Sequence, residues 1–216
     1  KLETALLNKS HVPDIFLADI TWLAKFTQKQ WLDPLGQYIP GTSISIDKFF
    51  KNNIHKYKNQ ITALPLNSDC SVLYYRKDLL RKYYTNTLPS TWYQLIRIAK
   101  NIQYQERKKY GKQDFDGFLW QAVKDTDLIP VFFEFLKSNN TGPQIKKNKL
   151  LLYFYDFRQA ANMMYDIVHI HNISPPKVFT ETTIKKTEEQ FLAGNALFAR
   201  DFSQAINNYS ETISFS

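Results

Sequence analysis

Between Ala63 and Leu80 the chain reads Ala-Leu-Pro-Leu-Asn-Ser-Asp-Cys-Ser-Val-Leu-Tyr-Tyr-Arg-Lys-Asp-Leu-Leu, and no other stretch constrains the fold as much. Val72 to Tyr75 is a run of β-branched, apolar and aromatic residues, the composition of a buried strand. Asp78 stands where a helix N-cap belongs, just before Leu79 and Leu80. A single carboxylate, Asp69, lies between the two apolar pieces, flanked by Ser68, Cys70 and Ser71. At a strand mouth such a group is an acceptor for hydroxyl partners.

The rest of the chain alternates in the same manner. Leu2, Leu6 and Leu7 suggest the tail of a helix, broken at Ser10-His-Val-Pro13 because Pro13 disfavours helix at Val12. Asp14 to Ala18 reads as a buried strand, and a helix is expected from Leu23. Ile44 to Tyr57 reads as a helix with Ile46, Phe49, Phe50 and Ile54 on one face. Tyr57 to Pro65 reads as a hairpin in which Asn59 takes the left-handed conformation. Further on, Ser90 or Thr91 caps a helix whose buried stripe is Leu95, Ile96, Ala99 and Ile102. A polar loop at 108–115, a strand at 117–121 and an apolar helix at 128–138 follow. A strand pair near 150–155, helices at 157–170 and 180–192, and a strand entered at Gly194 complete the pattern. Strands and helices in this alternation indicate an α/β class with mainly parallel sheets.

The chain has 216 residues, with 44% hydrophobic and 15% aromatic content, enough to build a sizeable core. Most of the Tyr and Phe residues are expected to serve packing. The net charge of +8 would suit an anionic partner, but the basic clusters are short and scattered: Arg107-Lys108-Lys109, Lys146-Lys147 and Lys185-Lys186. No nucleic-acid partner is therefore expected. One cysteine, Cys70, excludes an internal disulfide and reads as a small half-buried residue; the nearest histidine, His55, has no catalytic motif around it. His169 and His171 are two apart on an expected helix and point to different faces, so no metal site is indicated, and no cofactor is implied. No signal-peptide pattern and no run of about 20 apolar residues is present.

The Leu-Pro…Asp…Tyr-Tyr-Arg-Lys-Asp-Leu-Leu pattern at 64–80 resembles the linker between lobes in extracellular solute-binding proteins of sugar ABC transporters, of the trehalose/maltose-binding type. Pro13-Asp…Asp19-x-x-Trp22 through Trp31-Leu-Asp-Pro-Leu35 resembles the same family, with Gln30 in place of its usual Gly. Support comes from Pro89-x-x-Trp92, Gly117-Phe-x-Trp-Gln121 and Phe191-x-x-Gly194-Asn-x-x-Phe198. The resemblance implies a periplasmic-binding-protein-like fold of type II with two lobes. The expected organisation is a partial first lobe at 1–68, a crossover hinge at 69–71, a second lobe at 72–204 and a divergent tail at 205–216. The first lobe is expected to lack its opening strand and its returning segment.

The resemblance also implies a function: capture of a disaccharide or similar small glycoside between the lobes and delivery to permease subunits, without bond breaking. The location implied is periplasmic or extracellular, at the membrane only through the permease. Ligand-binding candidates are Asp19, Asp69, Trp22, Trp120, Gln121 and Phe202. Asp19 equally suits a helix cap, Asp69 a turn cap, and Trp22 the core. Where the family often carries a ligand-touching Tyr-Glu pair, this chain has Asp125 and Thr126; Asn67 stands where relatives often have an aromatic, and Phe202 where they have Trp. The competing readings are a glycoside hydrolase using Asp19 and Asp69 as a carboxylate pair and a decayed remnant that binds nothing.

Overall fold

In the computed structural model the described residues are 2–8, 13–67, 69–83, 88–124, 128–138, 142, 144–146, 149–151 and 153–209. The chain divides into two units, Lys1–Ser68 and Asp69–Ser216.

The first unit is built around Phe26, which is 1% exposed. Helix α1 spans Leu2–Leu7 and α2 spans Ile20–Gln28. Phe26 lies on α2, and the rings of Phe16, Trp22 and Trp31 approach it at 6.1, 6.1 and 5.5 Å between centroids. The helix starts at Ile20 rather than Leu23 because the Asp19 side chain accepts from the Thr21 N–H and so caps it. The strand expected at 14–18 does not form. A strand needs a pairing neighbour, and among the described residues none pairs with this run; Ile15 and Leu17 are 90% and 75% exposed.

The expected helix at 44–57 is also absent. In its place are 3-10 turns at Ile46–Lys48 and Lys51–Asn53, followed by strand β1 at His55–Tyr57. Ser45 makes no side-chain cap bond, and the flanking β-branched and Asn residues are weak helix formers. Phe50 and Ile54, which would share a helix face, are 72% and 8% exposed. Strand β2, Gln60–Ala63, pairs antiparallel with β1. Lys58 and Asn59 make the turn with φ of 48° and 63°, the two left-handed residues of a type I′ hairpin.

The second unit runs β3 (Ser71–Tyr75), α3 (Lys77–Tyr83), α4 (Trp92–Tyr110), β4 (Asp116–Leu119), α5 (Leu128–Ser138), β5 (Gln144–Lys146), β6 (Lys149–Leu151), α6 (Phe154–His169), α7 (Ile184–Leu192), β7 (Ala196–Phe202) and α8 (Ile206–Tyr209). Its main sheet has the order β3-β7-β4. Strand β7 pairs parallel with β4 but antiparallel with β3, with Ser71 opposite Phe202. The expectation of mainly parallel sheets is thus corrected: the β1–β2 and β5–β6 pairs are antiparallel as well. The physical reason is that the chain enters the unit beside the point where β7 ends. As an edge strand β3 is only partly covered, with Leu73 38% exposed and Tyr74 at 8%.

Helices cover both faces of the sheet. Phe118 and Trp120 enter one apolar cluster with residues of α3, α4, α5 and α6; Leu119 enters the other with Tyr74, Phe191 and Tyr209. This is the two-residue alternation of a strand. Thr91 caps α4 by accepting from the Gln94 N–H, and Gly111 ends the helix at φ 67°, within the expected polar loop. Asp78 is not a cap. It lies in the first turn of α3 and accepts a two-pronged bond from Arg76 at 2.8 and 2.6 Å. Residues 205–209 pack onto the second unit: Tyr209 is fully buried and donates to Asp201 Oδ2 at 2.6 Å. Residues 210–216 lie outside the described residues.

Gly117 sets how closely α4 approaches β4. A Cβ there would sit 2.9 Å from the Ala99 Cβ and 3.1 Å from the Ile173 Cβ, and its N–H donates to the buried Gln103 Oε1 at 2.7 Å. Gly117→Ala is expected to cost about 1–3 kcal/mol of stability, read from urea unfolding midpoints.

Beside it Asp116 is 6% exposed, and burial pushes its carboxyl up to about 6 against the pull of Arg107 and Lys177. The folded protein therefore holds this proton at a pH where the unfolded chain has released it. Stability falls as pH rises from about 4 to about 6, by about 3 kcal/mol for this group. In Asp116→Asn that component disappears, so the variant gains on the wild type across this window in pH-dependent melts.

Candidate functional site

The first unit presents Asp19 and Trp22 at the start of α2. Asp19 is exposed, and its Oδ1 accepts from the Thr21 N–H at 2.8 Å and the Thr21 hydroxyl at 2.6 Å. These bonds hold its carboxyl below the usual range, so it is a charged acceptor at neutral pH. Trp22 is 48% exposed, one face turned toward Phe26 and the rest open to solvent. The helix cap fixes both residues, since the Trp22 N–H donates to the Asp19 carbonyl at 2.9 Å.

In the second unit the antiparallel pairing of β3 with β7 brings residues 69–71 beside residues 202–203. Asp69 is exposed. Its Oδ1 accepts from the Cys70 N–H at 2.9 Å, the Ser203 N–H at 3.1 Å and the Ser203 hydroxyl at 2.5 Å. Among the described residues Oδ2 takes none of these bonds. Asp69 is thus a clip between the entry to β3 and the exit from β7, backed by the Ser203 N–H to Cys70 carbonyl bond of 2.9 Å. Cys70 is exposed rather than half-buried, because it lies beyond the pairing with β7.

Phe202 is half-buried, and the Arg200 guanidinium carbon stands 4.5 Å from its ring centre. The Arg200 side chain is 7% exposed. It donates from Nε to Glu134 Oε2 at 3.0 Å, from Nη2 to Glu134 Oε1 at 2.6 Å and to the Ser71 hydroxyl, and from Nη1 to Gln121 Oε1 at 3.0 Å. Ser71 in turn donates to Glu134 Oε1 at 2.5 Å. The Glu134 side chain remains 36% exposed.

Two candidates leave the site. Trp120 is fully buried, its indole N–H donating to the Ser174 hydroxyl at 3.1 Å and its ring packed against Phe135 and Phe179 at 5.2 and 5.7 Å. Gln121 is fully buried too, donating to Thr187 Oγ1 and the Arg200 carbonyl, both at 2.9 Å. Both lie just past the end of β4 and are enclosed by α5, α7 and β7 and the segment at 174–179, so neither offers surface to a ligand. Asp125 and Thr126 lie outside the described residues.

Sequence reasoning missed Glu134, Ser71, Ser203 and the role of Arg200. One signal was available: Glu134 is the sole acidic residue of α5, set among Phe132, Phe133 and Phe135. A carboxylate in so apolar a helix needs a cation, but the sequence does not show that the cation is Arg200. A solvent-open hollow of about 520 Å³ lies elsewhere, on α4, lined in part by Lys100, Gln103, Tyr104, Arg107 and His171; none of the candidate residues lines it.

The family model for bacterial extracellular solute-binding proteins matches residues 1–213, and the chain belongs to that family. A probable ABC transporter-binding protein of Deinococcus radiodurans is 27% identical over 194 residues, covering 89% of this chain and 44% of the relative. Maltose-bound MalE3 of T. maritima superposes with a TM-score of 0.77 at 27% identity, covering 93% of this chain and 49% of that one. A solute-binding protein of Thermotoga lettingae bound with α-D-tagatose has the same TM-score at 20% identity, over 98% of this chain and 53% of that one. The fold is therefore that of the periplasmic-binding-protein-like sugar-binding proteins. The chain spans about half the length of the relatives it matches.

The clip at Asp69 can be tested on its own. Asp69→Ala removes an acceptor of three bonds at an exposed position and is expected to lower stability by about 1 kcal/mol. Unfolding curves that superimpose on the wild type would show the clip to be energetically silent.

Proposed function

We propose that this protein is the carbohydrate-binding subunit, or a large part of one, of an ABC importer, capturing a disaccharide or similar small glycoside and delivering it to permease subunits. The observation that carries this reading is the likeness, over nearly the whole chain, to a maltose-bound solute-binding protein. The sites contribute two kinds of group that sugars require. Asp19 and Asp69 are exposed carboxylates held by backbone N–H groups, ready to accept hydroxyl protons. Trp22 and Phe202 keep ring surface for the apolar face of a sugar. The proposed organisation keeps residues 69–71 as a hinge, so that binding closes two lobes on the ligand without breaking a bond. Membership of the bacterial extracellular solute-binding family supports a location in the periplasm or the extracellular space.

The hydrolase alternative meets one specific objection. A general acid of a glycosidase needs a raised pKa, whereas the bonds from Thr21 lower that of Asp19.

Titration with maltose, maltotriose, laminaribiose, α-D-tagatose and ribitol, followed by tryptophan fluorescence and calorimetry, tests the proposal. At least one is expected to bind saturably with micromolar or tighter affinity, with no product formed from any disaccharide. Asp69→Ala is expected to weaken that affinity at least tenfold, on the order of the 1.4 kcal/mol that one lost acceptor bond supplies. Absence of saturable binding across the panel, or release of monosaccharide, would overturn it.

A further inference from the structure

We infer that Glu134 is a ligand-contacting residue of the second unit, accepting a sugar hydroxyl, and that Arg200 is the positioning residue that sets this carboxylate beside the Phe202 ring. The inference rests on the sugar-binding reading and adds a residue that neither the sequence pattern nor the family match assigns.

The argument starts from how the guanidinium is used. Arg200 sits on the central strand, almost wholly enclosed, and its plane meets three different groups. One edge makes the two-pronged pair with Glu134, Nη1 reaches Gln121, and the carbon lies 4.5 Å from the centre of the Phe202 ring. A single rigid, planar cation therefore fixes an aromatic ring and a carboxylate relative to each other. Both are partly open to solvent, Glu134 at 36% of its side chain and Phe202 half-buried.

A stacking surface next to a hydroxyl acceptor is the pairing that recognises a pyranose, whose C–H face and equatorial hydroxyls lie at right angles. The oxygens of Glu134 are not equivalent. Oε1 accepts from Arg200 and Ser71, whereas Oε2 accepts from Arg200 Nε among the described residues. A carboxylate oxygen holds two acceptor positions, so Oε2 keeps capacity for a donor from solvent or ligand. The Ser71 hydroxyl is committed to Oε1, which orients the carboxylate and prevents its rotation.

A purely structural ion pair would share much of this geometry, so the test reads a hydroxyl rather than stability. The sugar that binds best in the panel above is replaced by its monodeoxy analogues, each titrated against wild type, Glu134→Gln and Glu134→Asp. The second variant retains the charge opposite Arg200 and shortens the reach by one methylene, so it serves if the first does not fold. In the wild type one analogue is expected to bind about tenfold to a hundredfold more weakly than the parent sugar, the range for a hydrogen bond to a charged acceptor. In either variant that same analogue should lose less than about threefold, while penalties at the other hydroxyls stay as in the wild type. Equal penalties in wild type and variants at every hydroxyl would reduce Glu134 to a structural partner of Arg200 and overturn the inference, leaving the sugar-binding reading intact. Failure of the wild type to bind any sugar in the panel would overturn both.

Discussion

Arg200 carries a full charge into the middle strand of the second unit's main sheet, and the rest of that unit is arranged around satisfying it. A buried guanidinium without a partner costs several kcal/mol, and removing one partner of such a pair typically costs about 3–5 kcal/mol. Glu134 supplies the countercharge from α5, Ser71 an acceptor from the start of β3, and Gln121 an acceptor from the segment after β4. Four parts of the chain, remote in sequence, meet at one side chain. Because those bonds are directional, they fix the end of the sheet more tightly than apolar contact does. Phe202 lies against that cation, whose carbon stands 4.5 Å from its ring centre.

The two units solve the burial problem differently. The second places apolar residues on both faces of a sheet and covers each with helices, the layered arrangement that buries the central strand from Ala196 to Asp201. Within it a buried carboxylate is tolerated only where an acceptor or donor is at hand: Asp201 receives the Tyr209 hydroxyl, and burial raises its pKa nonetheless. Glu106, 1% exposed, is met by the Tyr83 hydroxyl and by Lys82 and Lys112, a set that keeps its carboxyl below the ordinary range despite burial. The first unit, with its aromatic cluster at Phe26, leaves Ile15 and Leu17 open.

What the sequence left open about the candidate residues has a common cause. Trp120 and Gln121 carry side chains that suit sugars, and a strand mouth is where such residues belong, but chemistry does not reveal which face of a strand a residue occupies. Both residues lie just past the end of β4, and distant partners enclose them: Phe135, Phe179 and Ser174 around Trp120, Thr187 and Arg200 around Gln121. The pairing of Glu134 with Arg200 was hidden for a different reason. Its helix was legible from Leu128 to Ser138, but its partner lies 66 residues away. Asp19 and Asp69 were legible as acceptors at element ends, and both prove to be capped or clipped by backbone N–H groups.

Local signals settled what depends on neighbours in the chain. The α/β alternation, the cap at Thr91, the left-handed Asn59 and the span of α5 all follow from backbone preferences and periodicities that act within a few residues. Tertiary structure alone decided the antiparallel direction of β3, the loss of a strand at 14–18 and of a helix at 44–57, and the burial of Trp120, Gln121 and Tyr209. Each of these turns on whether a distant segment arrives to accept a hydrogen bond or cover an apolar face, and propensities that span a few residues carry no record of that arrival.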